Sequence, residues 1–226
     1  MNAFSVFTTG ILVSTLFSPL LSEGGRQLTE DWKKKGLVDA IEYIPDLVLD
    51  IRYSGVNNFL KEDLYGDFNV CYLQKEVAIL FRKADRFLKQ THPHLSFLCF
   101  DGARPLRVQK RMWDRVKGTD KEPYVANPDS GSIHNYGAAI DLSLFDRKKN
   151  QSLDMGTDFD YFGRLAEPNL ESELLKEKLL TEIQYKNRQI LRKAMESAGF
   201  AVRYNEWWHF DAYPEKEVKK KFPILN

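Results

Sequence analysis

The sequence is poor in several features that would name a function at once. It has two cysteines, Cys71 and Cys99, in 226 residues. Two are too few for a disulfide scaffold, and they form no C-x-x-C pair of the kind that builds a zinc knuckle. Two half-buried thiols are expected, and spacing alone does not decide whether they bridge. Charge of one sign is not in excess: 33 Lys and Arg stand against 32 Asp and Glu. A nucleic-acid binder shows a basic surplus, so no nucleic-acid partner is expected. Only one stretch, residues 4–22, is long and apolar, and no other segment could span a bilayer. Repeats and low-complexity tracts are absent. With only four histidines, at 92, 94, 134 and 209, any histidine-based metal site draws on a short set.

What is present suits one folded domain with an appendage. Apolar residues make up 43% and aromatics 13%, enough for a core and too many for a disordered chain. Residues 1–22 contain an apolar run ending at Ser22 and followed by polar "EGGRQ". The run is short for a spanning helix and carries Pro19, so it reads as a signal peptide, although no Lys or Arg precedes it. A membrane anchor or a buried first helix is the alternative. Export to the periplasm or the outside follows if the segment is a signal peptide, and a cytoplasmic place if it is not. Residues 23–36, polar and rich in Lys and Gly, read as a linker.

The rest mixes helix and strand periods. Alternating apolar positions around Pro45 in 38–53 suggest two short strands or one interrupted strand. Residues 54–70 read as loop. Val77, Leu80, Phe81, Ala84, Phe87 and Leu88 fall on one helical face, which "THPH" ends. "LSFLCFD" (95–101) reads as a buried strand, Pro105 as the first turn of a helix to about Lys117, and "GAAIDLSLF" (137–145) as another strand. Residues 146–182 look like a charged surface excursion. Ile190, Leu191, Ala194, Met195 and Ala198 form a last helical face closed by Gly199, and "FAVRY" follows as a strand. No βαβ rhythm appears, so the fold class expected is α+β.

Three stretches carry candidate chemistry. In "SIHNYGAAID" (132–141) His134 precedes Asp141, a carboxylate between Ile140 and Leu142 that burial penalises unless a cation pairs with it. In "EWWHF" (206–210) Glu206 precedes His209 by three. His134, Asp141 and His209 would give a zinc two nitrogens and an oxygen and leave one position open. Gly137, Ala138 and Ala139 leave room for the chain to approach. In a regular strand Glu206 and His209 would face opposite ways. If both serve one metal, that strand is irregular, and Glu206 becomes a general base for the metal's water. Each spacing is common alone, and core tryptophans would explain Trp207 and Trp208 equally well. His92 and His94 compete as a chelating pair but flank Pro93 at a helix end. In "DGARPLRVQ" (101–109) Arg104 lies between strand and helix, placed to hold an oxyanion or simply to make a surface salt bridge.

Together these stretches resemble one family. "SIHNYGAAIDLSL" is similar to the S-x-H-x-x-G-x-A-x-D motif of the zinc D-Ala-D-Ala peptidases that share a fold with the Hedgehog signalling domain. "EWWHF" resembles the E-W-W-H of their D-alanyl-D-alanine dipeptidase branch, the vancomycin-resistance type. "DGARPLRVQ" resembles that branch's D-G-Y-R-P with Ala103 in place of the aromatic, and "DIRYSGVNNF" (50–59) and "MGTDFD" (155–160) have counterparts in the same order. The resemblance runs from about residue 38 onward and implies a dipeptidase domain over 37–226, with a central antiparallel sheet and flanking helices. It implies one zinc on His134, Asp141 and His209, Glu206 as catalytic base, and Arg104 as stabiliser of the tetrahedral intermediate. Tyr53, Ser132 and Asp160 match positions that shape the pocket, Asp160 attracting the ammonium of a small D,D-dipeptide. Ala103 is expected to loosen one pocket wall. The implied reaction is hydrolysis of D-alanyl-D-alanine in cell-wall precursor or turnover metabolism. A D,D- or L,D-carboxypeptidase or endopeptidase acting on wall peptides is the alternative within the fold. An inactive zinc-stabilised binding module is the alternative outside enzymes.

Overall fold

The computed structural model describes residues 22–226. The segment read as a signal peptide lies outside the described residues except for Ser22. The stretch read as a linker is a helix, α1 (Glu23–Lys34). The Ser22 hydroxyl caps it, accepting from the Gly25 amide at 3.1 Å. Glu23 in the first turn and Lys33 and Lys34 in the last match the helix dipole. Its polar composition masks one anchor. Trp32 is fully buried and meets the rings of Phe68 and Tyr72 edge-on, at 5.1 and 5.8 Å between centroids. Leu28 packs against the same cluster, and the indole supplies most of the apolar area that docks an otherwise polar helix.

The apolar positions around Pro45 form two short strands that join different sheets. β1 (Leu37–Asp39) pairs antiparallel with β3 (Tyr72–Gln74), whereas β2 (Val48–Leu49) runs parallel to β4 (Leu95–Asp101). Between β3 and β4 lies α2 (Lys75–Thr91). Val77, Phe81, Ala84 and Leu88 bury its expected face, while Phe87 stays 37% exposed at the margin. The helix stops before Pro93, as the residue ahead of a proline disfavours helical backbone. α3 (Leu106–Val116) starts after Pro105.

β5 (Ala139–Asp146) is the centre of the main sheet. β6 (Gln151–Ser152) folds back on it, so the charged excursion is partly structured. The same excursion holds α4 (Glu171–Lys176) and buries Met155 and Phe159. α5 (Glu182–Glu196) opens with reciprocal bonds between Thr181 and Gln184 at 3.3 and 2.9 Å. Beyond it, Gly199 takes φ +93° and turns the chain into β7 (Ala201–Arg203). β8 (Glu206–Asp211) and α6 (Glu215–Lys221) follow. The sheet order is β2-β4-β5-β8-β7, antiparallel except for β2–β4. α2 and α5 touch each other and pack on β4 and β5 respectively. The α+β class and its central, largely antiparallel sheet are as expected.

Period-two alternation divides β5 between two roles. Ile140, Leu142 and Leu144 are fully buried in the apolar core, and Asp141 and Ser143 point to the other face. Both cysteines are fully rather than half buried. They are unbridged, with the sulfurs 3.0 Å apart.

Candidate active site

The two distant motifs meet across one strand pair. In the β5–β8 register Asp141 lies directly opposite His209, so their side chains share a face. His134 reaches the same point from a 3-10 turn, Ile133–Tyr136, just before β5. Gly137 ends that turn at φ +67°, and a Cβ there would come within 3.1 Å of Leu37 and 3.3 Å of the Gln74 backbone nitrogen. Gly137 thus lets β1 and β3 approach closely, and the Gln74 amide bonds the Gly137 carbonyl at 2.9 Å.

Three donor atoms converge. His134 Nε2 is 3.1 Å from His209 Nδ1, and Asp141 Oδ1 is 3.3 Å from the first and 3.1 Å from the second. The far nitrogen of each ring is already engaged. His134 Nδ1 lies 2.7 Å from the Gly102 carbonyl, and His209 Nε2 lies 2.8 Å from Asp211 Oδ1. Those acceptors take one N–H of each ring, so each facing nitrogen can offer its lone pair to a cation that displaces any proton there. Asp141 Oδ1 is buried without a hydrogen-bond partner. Two lone-pair nitrogens and a carboxylate oxygen aimed at one point call for a cation. A triangle of this size also matches one face of a tetrahedral zinc site, with ligands at about 2.0–2.2 Å from the ion. Among the described residues, these three form a group able to hold a metal. His92 and His94 are not part of it.

The strand carrying His209 is irregular, as a shared site with Glu206 requires. β7 pairs with β8 through Val202↔Phe210 and then Arg203↔Glu206, which skips residues 207–209. That bulge returns Glu206 to the face of His209, with its carboxylate 3.6 Å from His209 Nδ1. Burial pushes the Glu206 carboxyl up, against the pull of His209 and Arg203. For Asp141, burial opposes ionisation, but His134 and His209 outweigh it and hold the carboxyl well below its usual range. Burial would lower His209, yet Asp211 and Asp141 push it up to about 10.

Arg104 is buried beside the donor triangle and is no surface salt bridge. Its Nε and Nη2 donate to Asp101 at 2.8 and 2.7 Å, Nη1 donates to Gln109 at 2.9 Å, and Nη2 stands 3.8 Å from Asp141. Asp101 also accepts from the Tyr65 hydroxyl at 2.8 Å. Burial works against the guanidinium charge, and Asp101 more than restores it.

The cavity over these groups is narrow, about 50 Å³, and is lined by Arg104, His134, Asp141, Glu206 and His209 together with Ser132, Asp160 and Arg203. Tyr53 does not line it. Its buried hydroxyl bonds both oxygens of Asp160 at 3.1 and 3.3 Å, so it positions that carboxylate from behind. Asp160 sits at φ +61°, a strained conformation for a non-glycine residue. The Phe59 amide also holds its carboxylate, at 3.3 Å. Burial and the Asp141 charge push Asp160 up to about 8. Ser132 is held by its own amide, which donates to Asn135 Oδ1 at 2.7 Å. Ala103 is the correction. It packs beside Trp32, Phe68 and Tyr72 and loosens no wall of the cavity.

Sequence reasoning missed several participants. Asp101 and Asp211 were within reach: one ends a buried apolar strand three residues before Arg104, the other follows His209 by two and so shares its face. Phe59, Tyr124 and Phe162 also line the cavity. They come from separate loops, with Tyr124 stacked on Phe162 at 4.7 Å, and no periodicity links them.

Three converging donors beside a buried glutamate and a braced arginine make a candidate metal centre, and comparison with known proteins names the family. Residues 33–225 match the family described as D-ala-D-ala dipeptidase. The chain belongs to that family. It is 30% identical to a D-alanyl-D-alanine dipeptidase of Escherichia coli over 77% of this chain and 83% of that protein. It is 27% identical to one of Enterococcus faecalis, over 74% and 88% respectively. The solved LD-carboxypeptidase LdcB aligns with a TM-score of 0.39 and 21% identity, over 66% of this chain and 63% of that one.

Proposed function

We propose that the protein is a zinc-dependent dipeptidase that hydrolyses D-alanyl-D-alanine to two D-alanines. The observation that carries this reading is the triangle of His134, Asp141 and His209 donors, with Glu206 and Arg104 on its rim. Family membership supports the substrate. A zinc held by the three donors would supply Lewis-acid activation of the scissile carbonyl and a more acidic water. Glu206, raised by burial, takes the proton of the attacking water and passes it to the leaving amine as the C–N bond breaks. Arg104, fixed by Asp101 and Gln109, faces the charge that develops on the carbonyl oxygen. Asp160, held by Tyr53 and the Phe59 amide, pairs with the free ammonium of the substrate. A binding module has no use for a buried glutamate and a braced arginine beside the donors.

The apolar run of residues 4–22 supports export, and outside the cytoplasm the substrate would come from wall turnover. A mature chain beginning near residue 23 in secreted material would bear this out. The reaction is tested by release of free D-alanine from D-Ala-D-Ala, with and without chelator and added zinc. Chelator-sensitive release is expected. Cleavage of longer wall peptides with no action on the dipeptide would move the reading to a carboxypeptidase.

A further inference from the structure

The cavity contains two arginines, and only one of them is occupied. Arg104 is engaged by Asp101 and Gln109 and faces Asp141. Arg203 lines the same cavity. Among the described residues it makes no ion pair within 4.0 Å and no side-chain hydrogen bond. It is half-buried on β7, the edge strand of the sheet, directly across from Glu206 in the hairpin register. Cross-strand partners share a face, so its guanidinium stands on the side of the catalytic glutamate. Its charge favours ionisation of both Glu206 and Asp211 without contacting either.

A dipeptide is a zwitterion. The dipeptidase reading, on which this inference rests, gives its ammonium to Asp160 and its carbonyl oxygen to Arg104. It leaves the terminal carboxylate without a cation. We propose that Arg203 is the specificity-determining residue that binds the free α-carboxylate of the dipeptide and so restricts the enzyme to substrates with an unblocked C-terminus. The layout of the sheet follows the polarity of such a substrate. Tyr53, which holds Asp160, follows the edge strand β2 in the chain, two of the three donors sit on β5 and β8, and Arg203 is on β7 at the other edge. Guanidinium and carboxylate match in a two-point, charge-assisted fork.

The test compares wild type, Arg203→Ala and Arg203→Lys on D-Ala-D-Ala and on its C-terminal amide. Melting curves check that each variant is folded. Wild type is expected to prefer the free acid to the amide by about ten- to a hundredfold in kcat/KM, the range of a charged hydrogen bond. In Arg203→Ala that preference disappears, chiefly through a higher KM for the free acid, and the lysine restores part of it. Binding of D-Ala-D-Ala to a Glu206→Ala background, measured by calorimetry, weakens by a similar factor when Arg203 is also removed. Wild-type hydrolysis with an unchanged acid-to-amide ratio in Arg203→Ala overturns the anchor and leaves the dipeptidase reading standing. A loss confined to kcat, with a shifted pH profile, also overturns it and makes Arg203 a modulator of Glu206. No hydrolysis of the dipeptide by wild type brings down both.

Discussion

Arg104 and Asp101 form a buried ion pair at 2.7 Å, three residues apart, at the seam between β4 and α3. Asp101 thereby fixes the guanidinium that faces the donor triangle. Asp101→Ala leaves a buried arginine without its main partner, which costs about 3–5 kcal/mol. At about 2–4 °C per kcal/mol for a chain of this size, the Tm should fall by roughly 10 °C. Activity should fall with it. A variant with an unchanged Tm in a thermal melt would show that the pair fixes nothing.

Asp211 should matter to metal affinity although it is not a ligand. It accepts the Nε2 proton of His209 at 2.8 Å and so sets which nitrogen faces the site. Asp211→Asn should weaken metal binding by about 10–100-fold. Competition against a chromogenic chelator reads this directly.

Glu206 and His209 should separate catalysis from metal binding. Glu206→Ala should retain metal by elemental analysis and lose nearly all hydrolysis. His209→Ala should lose both. Loss of metal from the glutamate variant, or near-normal turnover, would contradict the role given to Glu206.

The carboxyl of Asp160 offers a signature in the metal-free protein. It is pushed up to about 8 in the fold, against about 3.9 in an unfolded chain. Between those values the folded state binds a proton that the unfolded state has released. Stability therefore declines as pH rises from about 4 to about 8 and levels off above. Asn tolerates the left-handed backbone at this position, so Asp160→Asn should fold and lack that decline. Urea titrations of both proteins across this range, after chelation, provide the check. A wild-type slope of the opposite sign, relative to the variant, would refute it.

Trp32 tests whether α1 belongs to the fold. Its removal as Trp32→Ala should cost about 3–5 kcal/mol. A linker helix would tolerate the change with no shift in melting.

Much of the architecture was legible because periodicity reports burial. The α2 face, the largely apolar β4 and the glycine after α5 all declare themselves in one dimension. So did the demand that "EWWHF" be irregular, since Glu206 and His209 cannot share a face in a regular strand. α1 was illegible because only Trp32 and Leu28 dock it and the partners of Trp32, Phe68 and Tyr72, lie some forty residues away. Ala103 was misassigned to the cavity because motif position says which residues are neighbours in the chain, not which way a side chain turns. Tyr53 shows the same limit: it belongs to the site, but from behind Asp160.

The bulge in β8 has a mechanical consequence. His209 is locked to β5 by direct pairing with Asp141, whereas Glu206 is paired to Arg203 in the terminal hairpin. Only Trp207 and Trp208 lie between the two attachments, and both are buried. The backbone of Glu206 and Arg203 is therefore set by one strand pairing and that of Asp141 and His209 by another. Substrate contact and ion coordination thus rest on separate backbone supports in a site only a few ångströms across.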